Sequence, residues 1–334
     1  MPQRYVISEL AIVSWRQGDV QIASPAARTT IAGGDASVLR ILSAFSVPRT
    51  IDDVVQELDS ESQDPAARIG EWIAAAVLVD ADSPEPAAAH HWSREALALH
   101  ASSRDATWRK TPGHTTPAVA PRRSGEGIPL APPGRTAVHG GAGDLTALLA
   151  ARRSRRVWSR APIGFQAFSD LFWLSARNRA AGDDYVSRPY PSGGAAYSLE
   201  LYPVLGDDAI EPLGSGVYRY LPEAHALDLV SPFSADSRPF LVAAGRAMGT
   251  PPPPVAIIIT SRYARQSEEY GSLAYSLVLK EVGCLFQTLY LAAESLGLAA
   301  CALGGGTPAG LLADLCRVTE IEEPVVGEFA IGAR

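Results

Sequence analysis

The chain has 334 residues, 47% of them hydrophobic, with a formal net charge of −7. That length suits about two domains, and the absence of any uninterrupted run of about 18 apolar residues predicts no membrane-spanning segment. Residues 1–90 hold six Arg, no Lys and thirteen Asp plus Glu, so the whole net charge falls there; this excludes nucleic acid as an expected partner, because phosphate binding needs excess cations.

Residues 4–32 carry short apolar stretches (Tyr5 to Ile7, Ala11 to Val13, Val20 to Ile22) broken at Gly18-Asp19, the pattern of a small hairpin. Ala36 to Ala44 reads as a helix capped by Asp35, and Ile51 to Leu58 as a second, capped by Thr50 with Asp52 and Asp53 in its first turn. A third helix, Pro65 to Ala75, leads into the strand Ala76 to Val79. A hairpin followed by three helices resembles the winged-helix peptide-recognition domains of ribosomal peptide maturation systems. A DNA-reading helix-turn-helix is the alternative, and the acidity weighs against it. This domain is expected to span residues 1–82. Glu9 and Arg16 interrupt the apolar residues at the N-terminus, so no signal-peptide pattern is present and a cytoplasmic protein is expected.

Residues 83–143 are rich in Pro, Ala, Ser and Gly, with one helical island from about Trp92 to Ser102: a linker with an embedded docking helix. Residues 144–334 then alternate helices and strands. Leu145 to Ala151 and Phe165 to Ala176 read as helices, and Leu199 to Leu205, Gly216 to Tyr220 and Val255 to Thr260 as strands. Leu273 to Leu296 reads as one long central helix, and Val325 to Ile331 as a last strand before Arg334. The expected class is α/β (α+β), three-layered or helix-wrapped.

Three groups could carry chemistry. Arg152-Arg153-Ser154-Arg155-Arg156 offers forked donors and a hydroxyl, which a phosphate monoester needs; the alternative is a solvated basic patch. Lys110 and Lys280 are the only lysines, so an anion site must be built from Arg. The turn Arg188-Pro189-Tyr190-Pro191-Ser192-Gly193-Gly194 could bring backbone N–H groups up to a flat or anionic ligand, or be a plain surface turn. Gly304-Gly305-Gly306 could lie flat against a planar ring, or only stop an element. Cys284, Cys301 and Cys316 are too far apart for a metal knuckle, and no His-x-Glu or His-Glu-x-x-His arrangement occurs, so no metal is expected.

Together these groups resemble the nitroreductase-like flavoenzymes, and within them the SagB-type azoline dehydrogenases of thiazole- and oxazole-containing peptides. Supporting motifs are Leu199-Glu200-Leu201-Tyr202, Gly216-Val217-Tyr218-Arg219-Tyr220, Tyr270-Gly271, Glu281-Val282-Gly283 with Gln287, and Leu291 to Leu298. The resemblance implies a dimeric FMN-binding domain. Arg152, Arg153, Ser154 and Arg156 would contact FMN, Pro191, Ser192 and Gly193 would reach it across the dimer, Gly304 and Gly305 would lie along its ring, and Arg334 would reach the phosphate. It further implies oxidation of thiazoline or oxazoline rings in a modified precursor peptide, with a cyclodehydratase as a possible partner. The family's base is a Lys-Tyr pair; here Glu269 occupies the Lys position beside Tyr270, while Cys284 and Ser276 stand where the family tends to have His and Arg. A glutamate can also abstract a proton in a sheltered site; the alternative for the pair is a solvated helix start. Reduction of an activated alkene, oxidation of another substrate, or a non-catalytic scaffold that binds maturation partners are the competing functions.

Overall fold

The computed structural model describes residues 2–16, 18–24, 29–34, 37–57, 64–83, 94–102, 127–132, 145–180, 186–232, 238–307, 312 and 321–334. The chain forms two compact units, Met1–Thr107 and Trp108–Arg334.

In the first unit, β1 (Tyr5–Ile7) is followed by β2 (Ile12–Arg16), β3 (Asp19–Ser24) and β4 (Thr29–Gly34). β2, β3 and β4 make a three-stranded antiparallel sheet, and Gly18 has the positive φ that the β2–β3 turn needs. Helices α1 (Ser37–Ala44), α2 (Ile51–Glu57) and α3 (Pro65–Ala74) precede β5 (Leu78–Asp80), which returns to pair with β1. Thr50 caps α2 as expected, its hydroxyl accepting from the Asp53 amide at 3.2 Å. Asp64 caps α3, with Pro65 in the first turn. Val20, Ile22, Ile41, Phe45, Ile69 and Trp72 form this unit's own core. Asp35, assigned as the cap of α1, lies outside the described residues; the linker's helical island is α4 (Arg94–Ser102).

The second unit is built on a seven-stranded sheet. Its short early elements are β6 (Ile128–Pro129), α5 (Leu145–Ala151), β7 (Ile163–Gly164), α6 (Phe165–Ser175), β8 (Arg179–Ala180) and β9 (Val186–Ser187). β10 (Leu199–Leu205), β11 (Ile210–Glu211), β12 (Gly216–Leu221), β13 (Ala226–Pro232), α7 (Arg238–Met248) and β14 (Val255–Ser261) follow. The chain then runs through α8 (Ala264–Tyr270), α9 (Ala274–Ser295), β15 (Leu298–Leu303) and β16 (Val325–Ala333). The sheet order is β15-β16-β14-β10-β12-β13-β6, every pair antiparallel.

β10 and β14 are buried along their whole length, so both faces of the sheet are covered. Alternation sorts their side chains. Leu199, Leu201, Ile257 and Ile259 join Phe168 and Phe172 of α6 and Val282, Leu285 and Leu289 of α9. Tyr202, Val204, Ala256 and Ile258 face Phe240, Leu241 and Ala244 of α7. This is the expected three-layer arrangement, and each buried Val, Leu, Ile or Phe among these contributes about 1.5–3 kcal/mol. The stretch Ala264–Ser295 has the length and composition of a membrane span. It is not one continuous helix: Gly271, at φ +50°, ends α8, and α9 then buries one side in the sheet's core.

Candidate functional site

The arginine–serine segment runs past the C-terminal half of α9. The Arg155 amide donates to the Ala300 carbonyl at 2.8 Å, and the Ser159 amide to Ala333 at 2.9 Å, tying the segment to the sheet edge. Tyr290 of α9 organises it. Its hydroxyl accepts from the Ala302 amide at 2.7 Å and shares a hydrogen bond of 2.8 Å with the Ser154 hydroxyl. The Arg152 guanidinium lies over the Tyr290 ring, 5.2 Å from its centroid. Arg155 and Arg334 both pair with Glu294, and Arg334 also donates to the Leu298 carbonyl at 3.1 Å. Among the described residues no carboxylate pairs with Arg152, Arg153 or Arg156. Arg153, Ser154 and Arg156 are exposed.

The glycine run follows β15 directly, two residues after Ala302. Gly304 and Gly305 are exposed and a Cβ on either would meet nothing within 4 Å, whereas one on Gly306 would lie 3.0 Å from Glu328 and 3.2 Å from the Ala243 carbonyl. Glu328, buried on β16, accepts from the Thr307 amide at 2.6 Å and so pins the end of the run. The segment therefore presents open backbone at Gly304 and Gly305 beside the arginine–serine segment.

The Pro191–Gly194 turn sits elsewhere, over α8 and the start of α9. Its outer side is exposed at Pro191, Gly194 and Ala195. Beneath it lies a row of buried polar groups. A Cβ on Gly194, whose φ is +60°, would fall 2.5 Å from the Tyr270 hydroxyl and 2.9 Å from Glu269 Oε1; one on Gly193 would stand 3.7 Å from Gln266 Nε2. Glu269 is 5% exposed and Gln266 fully buried, so the alternative of a solvated helix start does not describe Glu269. These two residues, three apart on α8, share one face. The Ser192 hydroxyl accepts from the Tyr197 amide at 2.9 Å, closing the turn on itself.

Glu281 of α9 completes the row at 2% exposure. The Ser198 hydroxyl donates to its Oε2 at 3.4 Å and itself accepts from Ser261 at 3.0 Å. Burial pushes the Glu281 carboxyl up to about 7, against the opposing pull of Ser192, Arg188, Ser198 and Gln266. Arg188 is held by Tyr190, the Leu199 carbonyl and Asn178 at 2.9, 2.8 and 3.1 Å. Glu200 is paired with Arg262 at 2.9 Å.

Within one chain the structure thus assembles two centres. Arg152, Arg153, Ser154 and Arg156 lie with Gly304 and Gly305, and Arg334 stands nearby but engaged with Glu294. Pro191, Ser192 and Gly193 lie with Glu269 and Tyr270. Leu277, which meets Gly193, and Tyr290, which meets Ser154, are thirteen residues apart on α9, or ~20 Å along its axis. Sequence reading missed Tyr290, Glu294, Gln266 and Glu328. A phenol on the apolar side of a buried helix requires a hydroxyl partner, which was the available signal for Tyr290. Among the described residues no group of His, Cys, Asp and Glu could hold a metal ion.

The second unit is an α+β domain, a helix-backed antiparallel sheet with the arginine–serine segment and the exposed Gly304-Gly305 backbone at one edge. The chain belongs to the nitroreductase family, whose profile matches residues 149–333. It is similar to MJ1384 of Methanocaldococcus jannaschii, named as a nitroreductase, at 30% identity over 160 residues, 48% of this chain and 78% of that protein. It is also similar to the microcin B17-processing protein McbC of Escherichia coli, at 30% identity over 115 residues. That match covers 34% of this chain and spans less than half of the relative, 42% of its length. Among solved structures, the E. coli microcin synthetase McbBCD complex with truncated pro-MccB17 bound is similar at a TM-score of 0.46. The identity is 22%, over 57% of this chain and 74% of that one.

Proposed function

We propose that this protein is an FMN-dependent oxidoreductase that oxidises thiazoline or oxazoline rings of a ribosomally made peptide to the aromatic azoles. The observation that carries the cofactor is the donor set: three arginines with no carboxylate partner among the described residues and one serine, Arg152 and Ser154 held by Tyr290, beside the open Gly304-Gly305 backbone. That set fits a flavin mononucleotide, with the arginines and Ser154 on its phosphate and pyrimidine edge. Bound FMN would supply the hydride acceptor. The rest falls to the chain's own residues. Glu269, sheltered and against Tyr270 under Gly194, would take the ring Cα proton, and Tyr270 would orient the ring through its hydroxyl. Family membership and the similarity to a microcin-processing protein support a peptide as substrate. On the same reading the protein acts as a homodimer in the cytoplasm, with Pro191, Ser192 and Gly193 serving the partner's flavin and a cyclodehydratase supplying the azoline.

The test is direct. The purified, FMN-reconstituted protein is incubated with an azoline-containing peptide and followed by mass spectrometry. Loss of two hydrogens per ring is expected, and Glu269→Gln should abolish it with flavin content unchanged. A colourless protein that takes up no FMN would sink the cofactor assignment. Turnover that survives Glu269→Gln would remove Glu269 as the base. The glutamate in the family's lysine position favours one second reading, reduction of an activated alkene such as a dehydroamino acid. Gain of two hydrogens on such a peptide would identify it.

A further inference from the structure

His225 is a buried titratable group to which the proposed reaction gives no task. It stands in the β12–β13 turn at a φ of +46°, a conformation that histidine tolerates better than most residues, and is 6% exposed. Its ring is bonded at both nitrogens. The Tyr220 hydroxyl of β12 lies 2.8 Å from Nδ1, and the Ser169 hydroxyl of α6 lies 3.1 Å from Nε2. Ser169 donates its one proton to the Ala131 carbonyl at 2.6 Å, so it accepts from Nε2–H, and Nδ1 is left to accept from Tyr220. The donors therefore run one way, from Tyr220 through His225 and Ser169 to Ala131, and the neutral imidazole is the form that fits.

Ala131 belongs to a strap along the edge of the sheet. β6 pairs antiparallel with β13 over two residues only, Ile128 opposite Leu227 and Pro129 opposite Ala226. The Leu130 amide then donates to the His225 carbonyl at 2.9 Å, while its side chain, 5% exposed, enters the main core. So short an edge strand opens at low cost. Next to its core contact, what holds it is His225, through the backbone carbonyl and through Ser169.

We propose that His225 makes residues 127–132 a proton-released strap: neutral, it holds the strap on the sheet edge; protonated, it lets the strap go. A proton on Nδ1 would face the Tyr220 O–H, donor against donor. The phenol is 2% exposed against the Phe172 ring, and its hydroxyl has no other partner among the described residues, so turning it away leaves a buried donor unpaired. Lifting the strap uncovers the ring and lets water hydrate the cation, so the open state binds the proton more tightly. The strap is therefore fully seated above the ordinary imidazole value of about 6.5 and is lost as pH falls below it.

The groups around the ring bear this out. Burial depresses the His225 pKa, against the opposing pull of the Ala131 carbonyl and Asp170 and with the help of Arg177. Asp170 of α6 is 3% exposed and accepts from Gln166 at 2.7 Å. Arg177, just past α6, lies over the Trp173 ring at 4.4 Å and is a constant positive charge. Tyr220 is pushed upward by burial, away from neutrality. Glu223, in the same turn as His225, is exposed, and residues 127–132 carry no titratable side chain.

Hydrogen exchange at the Leu130 amide in the full chain, corrected for intrinsic exchange rates, tests the strap. Protection should fall about tenfold or more from about pH 7.5 to about pH 5, while the β10 and β14 amides stay protected. His225→Asn, which suits the left-handed position, should give a flat profile. Tyr220→Phe, which removes the opposing donor, should move the fall to higher pH. A flat wild-type profile overturns the strap, as does a fall shared by β10 and β14 or one that persists unchanged in His225→Asn. Should His225→Asn not fold, Tyr220→Phe decides, and an unmoved fall there overturns it. The readout involves no turnover, so it stands apart from the reaction proposed above.

Discussion

At Gly194 the chain leaves no room for a side chain, and the reason lies in sequence-distant groups. Its φ of +60° already favours glycine, and a Cβ there would overlap the Tyr270 hydroxyl at 2.5 Å. Gly194→Ala should therefore destabilise the protein by ~1–3 kcal/mol in urea titrations. Gly304→Ala, with nothing within 4 Å of the added carbon, should change apo-protein stability by less than ~0.5 kcal/mol. Equal losses at both positions would show that backbone freedom rather than close approach governs the turn. Tyr290 offers a second contrast, since one hydroxyl serves both Ser154 and the Ala302 amide. Tyr290→Phe should cost ~1–2 kcal/mol of stability. It should also weaken FMN uptake measured by flavin fluorescence quenching, because Ser154 loses its hydroxyl partner, while Arg152 keeps the aromatic ring beneath it. Unchanged uptake would separate the tyrosine from the anion site.

Among the elements, those buried on both sides were the most legible. β14 announces itself by the apolar run Val255 to Ile259 and β10 by Leu, Tyr and Val around Glu200 and Pro203, and their observed spans agree with the expected ones to within a residue. α7 was missed because Pro239 and Gly245 interrupt its pattern, yet Gly245 is there so that the Thr250 carbonyl can come within 2.8 Å of where a Cβ would be. The long helix expected over Leu273 to Leu296 is α9 to within a residue, whereas α8 was missed because the short run Ala264–Tyr270 is mostly polar. The burial of Glu269 was illegible for a related reason: its cover comes from a turn 75 positions earlier in the chain. Glu281 sits on α9 within a motif read only as a family mark, and its environment makes a stability prediction. Its carboxyl is raised from the ordinary 4.5 to about 7 by burial, so the folded state binds the proton more tightly. Its contribution is fully present below about pH 4.5 and is lost as pH rises through about 7. Glu281→Gln should accordingly gain stability over wild type as pH rises, by up to ~3 kcal/mol near pH 8. Urea midpoints from pH 5 to 8.5 check this, and parallel wild-type and mutant curves would refute it.

At the scale of the whole molecule, two units with separate cores divide the proposed work. The arginine–serine segment, the open glycines, the turn and the polar row all lie in Trp108–Arg334. The excess acidic charge lies in residues 1–90. We propose that this segment grips a peptide leader or a partner protein, as the resemblance to winged-helix recognition domains implies. Residues 108–334 alone should therefore fold, with a single cooperative thermal transition, and take up FMN with the full chain's stoichiometry. On a short azoline peptide without a leader, kcat should be unchanged. On the full precursor, KM should rise about tenfold or more, since the binding energy of the leader is lost while the groups at the reacting ring remain. An unaltered KM on the full precursor would mean that the first unit does not hold the peptide. A truncated chain that folds but loses FMN would mean that the flavin site extends beyond the unit in which its arginines lie.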